Sequence, residues 1–190
     1  AGVTGASENT VIISGGTLDT DIYGGQTYDG AADNNTINIL ARDLNPEMSL
    51  YGGYRTTESK NNTYNMYTKG QTVADFAYFQ NLNFYVPEGT TAGETMLTVT
   101  GNAAVDADTT LAAVQNSTTT DGTTDVSGAT VFGGVQRNTK LNPGEYINLL
   151  YNANGITTDD TSYGTIDGLD TVTSAGFINY KAIVEKKDAN

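Results

Sequence analysis

Carboxylates are the main chemically active side chains in this sequence, because it contains neither histidine nor cysteine. Serine–histidine and cysteine–histidine mechanisms are therefore excluded, as are disulfides and cysteine-ligated metals. Cleavage of a polysaccharide is still available, since it needs mainly carboxylates and a basic residue. Three acidic pairs provide carboxylates for this chemistry: Asp19 with Asp21, Asp106 with Asp108, and Asp159 with Asp160.

The first of these pairs has the spacing of an inverting hydrolase. Asp19 and Asp21 would face the same side of one strand, roughly 7 Å apart, and the other pairs could also ligate Ca²⁺. No EF-hand loop or glycine-rich nonapeptide is present to support calcium binding. We interpret all three pairs as parts of a solvated acidic surface, and we expect no catalytic residue, no metal site and no cofactor.

A column of tyrosines is the better candidate for ligand binding. Tyr23, Tyr51 and Tyr78 recur at nearly equal spacing, and Tyr28 and Tyr54 lie nearby in the sequence. Stacked on an outer face, such rings would form a flat amphipathic strip able to pack on sugar rings or on a partner's surface. The alternative is that each tyrosine only shields the glycine corner of its neighbour.

These tyrosines belong to a repeat with a period of about 27 residues, which is within the range of solenoid repeats. The segment NTVIISGGTLDTDIYGG at residues 9–25 is echoed by Asn-Thr at residues 35–36 and 62–63, and by Tyr-Gly-Gly at residues 51–53. A nearly constant period built of strand-length segments is typical of a β-solenoid. We therefore predict an all-β fold, a parallel β-helix.

The repeats divide the chain into a regular and an irregular part that form one continuous structure. Three or four coils need closed ends, because an open end exposes unpaired backbone and apolar columns. The predicted parts are regular coils over residues 1–93, with repeats near 9–33, 34–60 and 61–89, and C-terminal coils with a cap over residues 94–190.

Within each repeat, apolar residues alternate as they do in strands with one buried face. The residues between them form an outward column that is polar in two repeats of three, which predicts a face in water. The inward columns are Val11, Ile37 and Tyr64, and Ile13, Ile39 and Met66; the outward column is Ile12, Asn38 and Asn65.

Glycine and asparagine recur at the ends of the predicted strands. Paired glycines predict tight corners, because glycine accepts positive φ and leaves room for the neighbouring coil. The asparagines predict a ladder of side-chain amides bonded between coils. No phosphate loop is predicted, since no Lys-Ser/Thr follows the glycines. The corner glycines are Gly24, Gly25, Gly52, Gly53, Gly133 and Gly134, and the ladder contains Asn9, Asn35 and Asn62.

Beyond residue 93 the repeat register is expected to end while strands continue. Residues 82–86 are predicted to be an apolar third strand of the third repeat, and residues 111–114 have helical spacing. Further strands are predicted at residues 96–100, 126–132, 146–151 and 177–184, with extruded polar loops at residues 116–125 and 152–170.

The net charge of −13 arises from acidic residues scattered along the chain. It argues against nucleic acids and anionic membranes as partners, because both require a basic patch. No segment approaches the roughly 20 apolar residues of a membrane-spanning helix. The start at Ala1, in the middle of the pattern, leads us to expect a segment of a longer protein.

The phrases NTVIISGGTLDTDIYGG, NNTINI, MSLYGGY, LTVTGNAAVDADTTL and LNPGEYINLLYN resemble the passenger regions of bacterial autotransporters. The resemblance implies a right-handed parallel β-helix, exported through the outer membrane, with a C-terminal region that caps the coils. It also implies an extracellular location on the bacterial surface. The aromatic-girdled barrel strands of such proteins are not found in this sequence, so membrane anchorage would belong to the parent protein.

We therefore expect a non-enzymatic, monomeric stalk or adhesive passenger that presents loops to a host or cell-surface glycan or protein. One alternative is a carbohydrate-active enzyme of β-helix fold, which a cleft with two carboxylates and Arg42, Arg55 or Arg137 would favour. A second alternative is a module of a Gram-positive wall-anchored protein.

Overall fold

The protein is seen in a computed structural model that describes residues 5–28, 30–54, 59–87, 89–105, 110–115, 144–158, 172–175 and 178–181. All regular secondary structure in these residues is β-strand. The prediction of an all-β fold is confirmed. Among the described residues there is no helix of the length and apolarity that crossing a membrane requires.

Two five-stranded sheets and one three-stranded sheet contain only parallel strands. The first sheet has the order β1 (Thr10–Ile13), β3 (Thr36–Ile39), β5 (Thr63–Met66), β8 (Asn81–Val86) and β11 (Thr110–Gln115). The second has the order β2 (Ile22–Gln26), β4 (Leu50–Tyr54), β7 (Phe76–Ala77), β10 (Ala103–Val105) and β13 (Ile156–Thr158). The third has the order β6 (Gln71–Val73), β9 (Thr95–Val99) and β12 (Asn148–Asn152).

A separate antiparallel pair joins β14 (Val172–Ala175) to β15 (Ile178–Lys181). It lies within the predicted C-terminal cap, and β15 corresponds to the strand predicted at residues 177–184. The strands predicted at residues 96–100 and 146–151 correspond to β9 and β12. The strand predicted at residues 126–132 and the loop predicted at residues 116–125 lie outside the described residues.

Residues 111–114, which have helical spacing in the sequence, lie in β11 instead. Every residue of β11 is in register with a residue of β8. This parallel pairing gives the backbone groups that face β8 hydrogen-bond partners along the length of the segment. The tertiary partner therefore overrides the local helical pattern.

The strands pass from sheet to sheet in a regular order. From β5 to β13 the chain visits the first, third and second sheets in turn, three times over. The earlier strands β1 to β4 alternate between the first and second sheets. Each parallel pairing among β1 to β11 therefore joins segments that are one passage through the sheets apart in the sequence.

The register predicted for the first strand of each of the three repeats is confirmed. Val11 pairs with Ile37 and Ile37 with Tyr64, and all three strands run in the same direction. Alternation therefore places one side of the first sheet towards a single interior. The main core is built from this side and from the other two sheets, and its buried members include Ile13, Ile37, Ile39, Met48, Leu50, Tyr64, Met66, Val73, Phe76, Phe79, Leu82, Phe84, Met96, Leu97 and Val99.

The third repeat is shorter than the sequence pattern predicts. Residues 81–86 do not form a third strand of that repeat, because Asn81 pairs with Thr63 and begins the next passage after only 18 residues. The strands between them, β6 and β7, have only three and two residues. The repeat expected to reach residue 89 therefore ends near residue 80.

The register also continues past residue 93, where the sequence pattern predicts its end. Leu97 pairs with Gln71, and Ala103 pairs with Phe76, so both pairings keep the spacing of the earlier repeats. The next step in the second sheet, from Ala103 to Ile156, is about twice as long. The prediction of a loop at residues 152–170 is wrong at its start, since residues 152–158 contain the last residue of β12 and all of β13.

The outward column of the first sheet is not uniformly in water. Ile12 is 55% exposed, as expected, but Asn38 is only 3% exposed. Beside it, Leu40, Tyr67 and Tyr85 form a second buried cluster, in which the two tyrosine rings stack 4.2 Å apart. The prediction of a fully solvated face is therefore wrong around Asn38.

The hydroxyl of Tyr64 is buried in the main core, and the described residues offer it no hydrogen-bond partner. Burial also raises the pKa of this phenol. We expect Tyr64→Phe to stabilise the protein by about 1 kcal/mol, because an unsatisfied buried polar group carries a desolvation cost of that order. Urea unfolding would measure this gain, with Tyr28→Phe as a control at a side chain that is 81% exposed. A loss of stability in Tyr64→Phe would contradict the prediction.

Candidate functional site

Four tyrosines form a continuous group on the second sheet, and we call Tyr23, Tyr51, Tyr54 and Tyr78 the tyrosine cluster. Tyr23 in β2 pairs directly with Tyr51 in β4. Their rings stack with centroids 5.2 Å apart and planes inclined by 20°. Parallel pairing of identical residues one repeat apart therefore produces this stack, since neighbouring strands lie about 4.8 Å apart.

Tyr54 joins the cluster through the glycine pair that precedes it. Its ring centroid lies 5.1 Å from that of Tyr23 and 5.5 Å from that of Tyr51. Residues 51 and 54 would face opposite sides of a straight strand. The strand must therefore bend at Gly52 and Gly53 to bring the two rings to one side.

Tyr78 reaches the cluster from a register different from the one the repeat predicts. Tyr51 pairs with Ala77, so Tyr78 lies just beyond the expected position. Its backbone has a φ of 64°, an uncommon conformation for a tyrosine. The ring is nevertheless 6.1 Å from that of Tyr51 and 6.2 Å from that of Tyr54, with 39% of the residue exposed.

Two aspartates hold the tyrosine hydroxyls. Tyr23 donates to Asp21 over 3.4 Å, and Tyr51 donates to Asp75 over 3.2 Å. The second oxygen of each carboxylate accepts a backbone N–H from the next repeat, that of Ser49 at 2.9 Å for Asp21 and that of Asn102 at 2.7 Å for Asp75. Burial is the main cause that raises the pKa of Tyr51, so its phenol stays neutral at physiological pH.

This geometry differs from the flat strip that the sequence predicts. Tyr23 and Tyr51 each turn one ring face towards the other, so the cluster presents ring edges, hydroxyls and the outer face of Tyr23. A depression of about 400 Å³ borders Tyr23 and is lined in part by Val11, Leu18 and Ile22. A ligand would meet apolar surface beside phenol and carboxylate groups.

The corner glycines lie inside β2 and β4, and none of Gly24, Gly25, Gly52 and Gly53 has positive φ. The expectation that positive φ requires glycine is therefore wrong at these four positions. A methyl group on Gly52 would overlap the backbone oxygen of Tyr78 and stand 2.8 Å from Cβ of Asn62. Glycine is needed because the next passage and the ladder asparagine approach the backbone so closely.

The structure brings the three ladder asparagines together. The backbone N–H and side-chain amide of Asn9 both donate to Oδ1 of Asn35, at 3.1 and 2.9 Å. Asn35 makes the same two bonds to Oδ1 of Asn62, at 2.9 and 3.1 Å. The backbone N–H of Asn62 then donates to Oε1 of Gln80, which is the next member of the ladder. A constant repeat length does not predict Gln80 at this place, because this passage has only 18 residues.

A left-handed residue comes directly before each ladder asparagine. Glu8, Asn34 and Asn61 have φ values of 63°, 56° and 57°. Asparagine tolerates this conformation better than most residues, which explains Asn-Asn at two of the three corners. The repeated backbone geometry aims each amide at the next one along the stack.

A second amide ladder, which the sequence analysis does not identify, runs along the first sheet. The side-chain amide of Asn65 donates to Asn38, and that of Asn83 donates to Asn65, both over 2.8 Å. The available signal is asparagine between apolar residues at the same strand position of successive repeats. This signal fits a solvated column equally well, so it does not predict the ladder by itself.

Asp19 and Asp21 lie in the loop before β2 and line a hollow of about 320 Å³ together with Glu47. The side chains lining this hollow in the described structure include no basic residue, and Arg42 is exposed elsewhere. No group of three acidic residues in the described part of the chain is arranged to hold a metal ion. Outside the described residues lie Asp106, Asp108, Asp159, Asp160, Gly133, Gly134, Arg55 and Arg137.

Comparisons with known proteins found no matching family model, no matching curated protein and no matching solved structure.

Proposed function

We propose that the protein is a right-handed parallel β-helix that serves as a non-enzymatic stalk or adhesive passenger. The cyclic order of the first, third and second sheets from β5 to β13 supports this architecture, because a chain that winds in coils visits its faces in a constant order. The resemblance to autotransporter passengers adds the handedness and the bacterial cell surface as location. A parent outer-membrane barrel would lie outside this chain.

The observation that carries the proposal is the continuity of side-chain columns along the stack. An amide ladder runs from Asn9 to Gln80, a second runs from Asn38 to Asn83, and the tyrosine cluster joins β2, β4 and the residue that follows β7. Each column bonds one repeat to the next, in the manner of stacked amides and rings in cross-β structures. Such reinforcement suits a stiff support that holds other groups at a distance.

The tyrosine cluster is the proposed contact surface for a glycan or protein ligand. Its ring edges and the depression beside Tyr23, which has both apolar and polar lining, offer amphipathic surface, and Asp21 and Asp75 offer acceptors for hydroxyl groups. Neutral sugars match this combination better than anionic ones, because the carboxylates would repel negative charge. The protein would act as a monomer without a cofactor.

The alternative of a carbohydrate-active enzyme rests on the hollow beside Asp19 and Asp21. An inverting hydrolase needs two carboxyl groups about 6.5–9.5 Å apart, one of them with a raised pKa. Of the two, Asp21 already accepts hydrogen bonds from the backbone N–H of Ser49 and the hydroxyl of Tyr23, one on each carboxylate oxygen. Both oxygens of Asp21 are therefore engaged within the protein, which does not favour the enzyme alternative.

A glycan array combined with a polysaccharide-degradation assay would test the proposed function on the purified protein. We expect binding of neutral glycans that weakens in Tyr78→Ala, without release of product. The matched control is Asp21→Asn, which removes the candidate catalytic carboxylate. Product release that disappears in Asp21→Asn would overturn the non-enzymatic assignment.

A further inference from the structure

The tyrosines are the residues of this chain most open to one-electron oxidation. The sequence has no cysteine, tryptophan or histidine, but it has twelve tyrosines. Its three methionines, Met48, Met66 and Met96, are all buried in the core. An oxidant in solution therefore reacts mainly with exposed and half-exposed phenols.

The tyrosine cluster places several of these phenols next to one another. All four rings lie within one connected group whose neighbouring centroids are 5.1 to 6.2 Å apart. Tyr23 and Tyr51 are the most nearly parallel pair and are partly exposed. Two radicals formed on them would already be in contact, so coupling would not require diffusion.

We propose that the tyrosine cluster is an oxidative modification site, at which a haem peroxidase with hydrogen peroxide joins Tyr23 to Tyr51 through a dityrosine bond. The bond would connect β2 to β4, which are paired strands of successive repeats. In a chain without cysteine it would be a covalent link between repeats. This inference does not depend on the identity of any glycan ligand.

The reaction balances with peroxide as the oxidant. Each phenol loses one electron and one proton, and the two phenoxyl radicals form a carbon–carbon bond between ring positions ortho to the hydroxyls. The two ring hydrogens then move to the oxygens and restore both phenols. The two electrons and two protons released reduce one hydrogen peroxide to two water molecules.

The aspartates beside the hydroxyls assist the first step. Asp21 accepts the hydrogen bond of Tyr23, and Asp75 accepts that of Tyr51. A carboxylate at this place can take the phenolic proton as the electron leaves, which avoids a cationic radical in a half-buried site. The backbone N–H groups of Ser49 and Asn102 hold both carboxylates in position.

The test is treatment of the purified protein with a haem peroxidase and hydrogen peroxide, followed by isolation of the monomer. Trypsin cleaves after Arg42 and Arg55, so Tyr23 and Tyr51 fall in different peptides. We expect mass spectrometry to find these two peptides linked, with a loss of two hydrogen masses, and fragmentation to locate the bond at Tyr23 and Tyr51. Dityrosine fluorescence should appear in the monomer fraction.

Two conservative variants provide the controls. Tyr51→Phe should abolish the Tyr23–Tyr51 link, because the ring remains but cannot form a phenoxyl radical; any dityrosine left in the monomer would then join Tyr23 to Tyr54, whose rings lie 5.1 Å apart. Tyr28→Phe removes the most exposed of the described tyrosines and should leave the Tyr23–Tyr51 link unchanged. Circular dichroism would verify that both variants keep the β-sheet signal.

The proposal is overturned if the wild-type monomer contains no Tyr23–Tyr51 link after oxidation. It is equally overturned if dityrosine occurs only between molecules, or if fragmentation places the bond in the wild-type monomer at Tyr23 and Tyr54 and not at Tyr23 and Tyr51. Glycan binding by the oxidised or untreated protein does not bear on these outcomes, so the two proposals fail separately.

Discussion

Asn62→Leu is expected to destabilise the protein by about 4 kcal/mol, because several buried hydrogen-bonding groups would lose their partners at once. Oδ1 of Asn62 accepts both the backbone N–H and the side-chain amide of Asn35. Its own amide donates to the backbone oxygen of Ala32 at 2.9 Å and to the hydroxyl of Ser59 at 3.3 Å. Leucine has the same number and branching of side-chain heavy atoms but replaces none of these bonds.

Urea unfolding followed by circular dichroism would measure this loss. The matched control is Asn102→Ala, since Asn102 is exposed and its side-chain amide donates to Asp75 over a long 3.4 Å. Its backbone bond to Asp75 would survive, so we expect a change within about 0.5 kcal/mol. Equal effects of the two substitutions would show that the ladder contributes little.

Gly52→Ala is expected to cost roughly 3–5 kcal/mol or to prevent folding, as substitutions that force backbone apart can do. The added methyl would overlap the backbone oxygen of Tyr78, Cβ of Asn62 and a ring carbon of Phe79. None of these groups can move without shifting the next passage of the chain. The tyrosine cluster would be displaced as well, because Gly52 lies between Tyr51 and Tyr54.

Gly70→Ala is the control that separates this steric overlap from the strain of placing alanine in a backbone conformation that favours glycine. Gly70 has a φ of 73°, and apart from Gly70 and its two chain neighbours no described residue has an atom within 4 Å of an added methyl group. Its substitution therefore costs only the conformational strain of about 1–2 kcal/mol. Thermal unfolding of both variants would compare the two costs. A Gly52→Ala protein as stable as Gly70→Ala would contradict the close approach seen at this corner.

The predictions for Asn62→Leu and Gly52→Ala concern residues that are in contact with each other. Gly24 faces Cβ of Asn35 just as Gly52 faces Cβ of Asn62. Each glycine leaves the space in which a ladder amide of the next corner lies, so the glycine and asparagine columns support each other. Substitutions at Gly52 and Asn62 should therefore combine non-additively, since the residues are in contact.

Local patterns in the amino-acid sequence are sufficient to predict β1, β3 and β5 and their parallel register, and the pairing of β2 with β4. Alternation of apolar residues in β1, β3 and β5 identifies the inward face, because strand geometry has a period of two. The Asn-Thr and Tyr-Gly-Gly spacings align Asn9 with Asn35 and Tyr23 with Tyr51, since equal steps bring equal residues into register.

Unequal steps are beyond the reach of the same patterns. A repeat pattern implies a constant length, whereas the passage from Thr63 to Asn81 spans only 18 residues. The position of Tyr78, the inclusion of Gln80 in the ladder and the start of a new passage at Asn81 all follow from that shorter step. The length of a passage depends on which strands pair with each other, and it cannot be predicted from the sequence of one segment alone.

Burial is the other quantity that sequence patterns do not supply. Asn38 has the polar character of a solvated position. It can nevertheless be buried, because its side-chain oxygen accepts a hydrogen bond from Asn65 and the Leu40 cluster lies beside it. The glycines of β2 and β4 show the same principle. Their identity is visible in the chain, but the reason for it is contact with residues of neighbouring passages, which exists only once the strands have stacked.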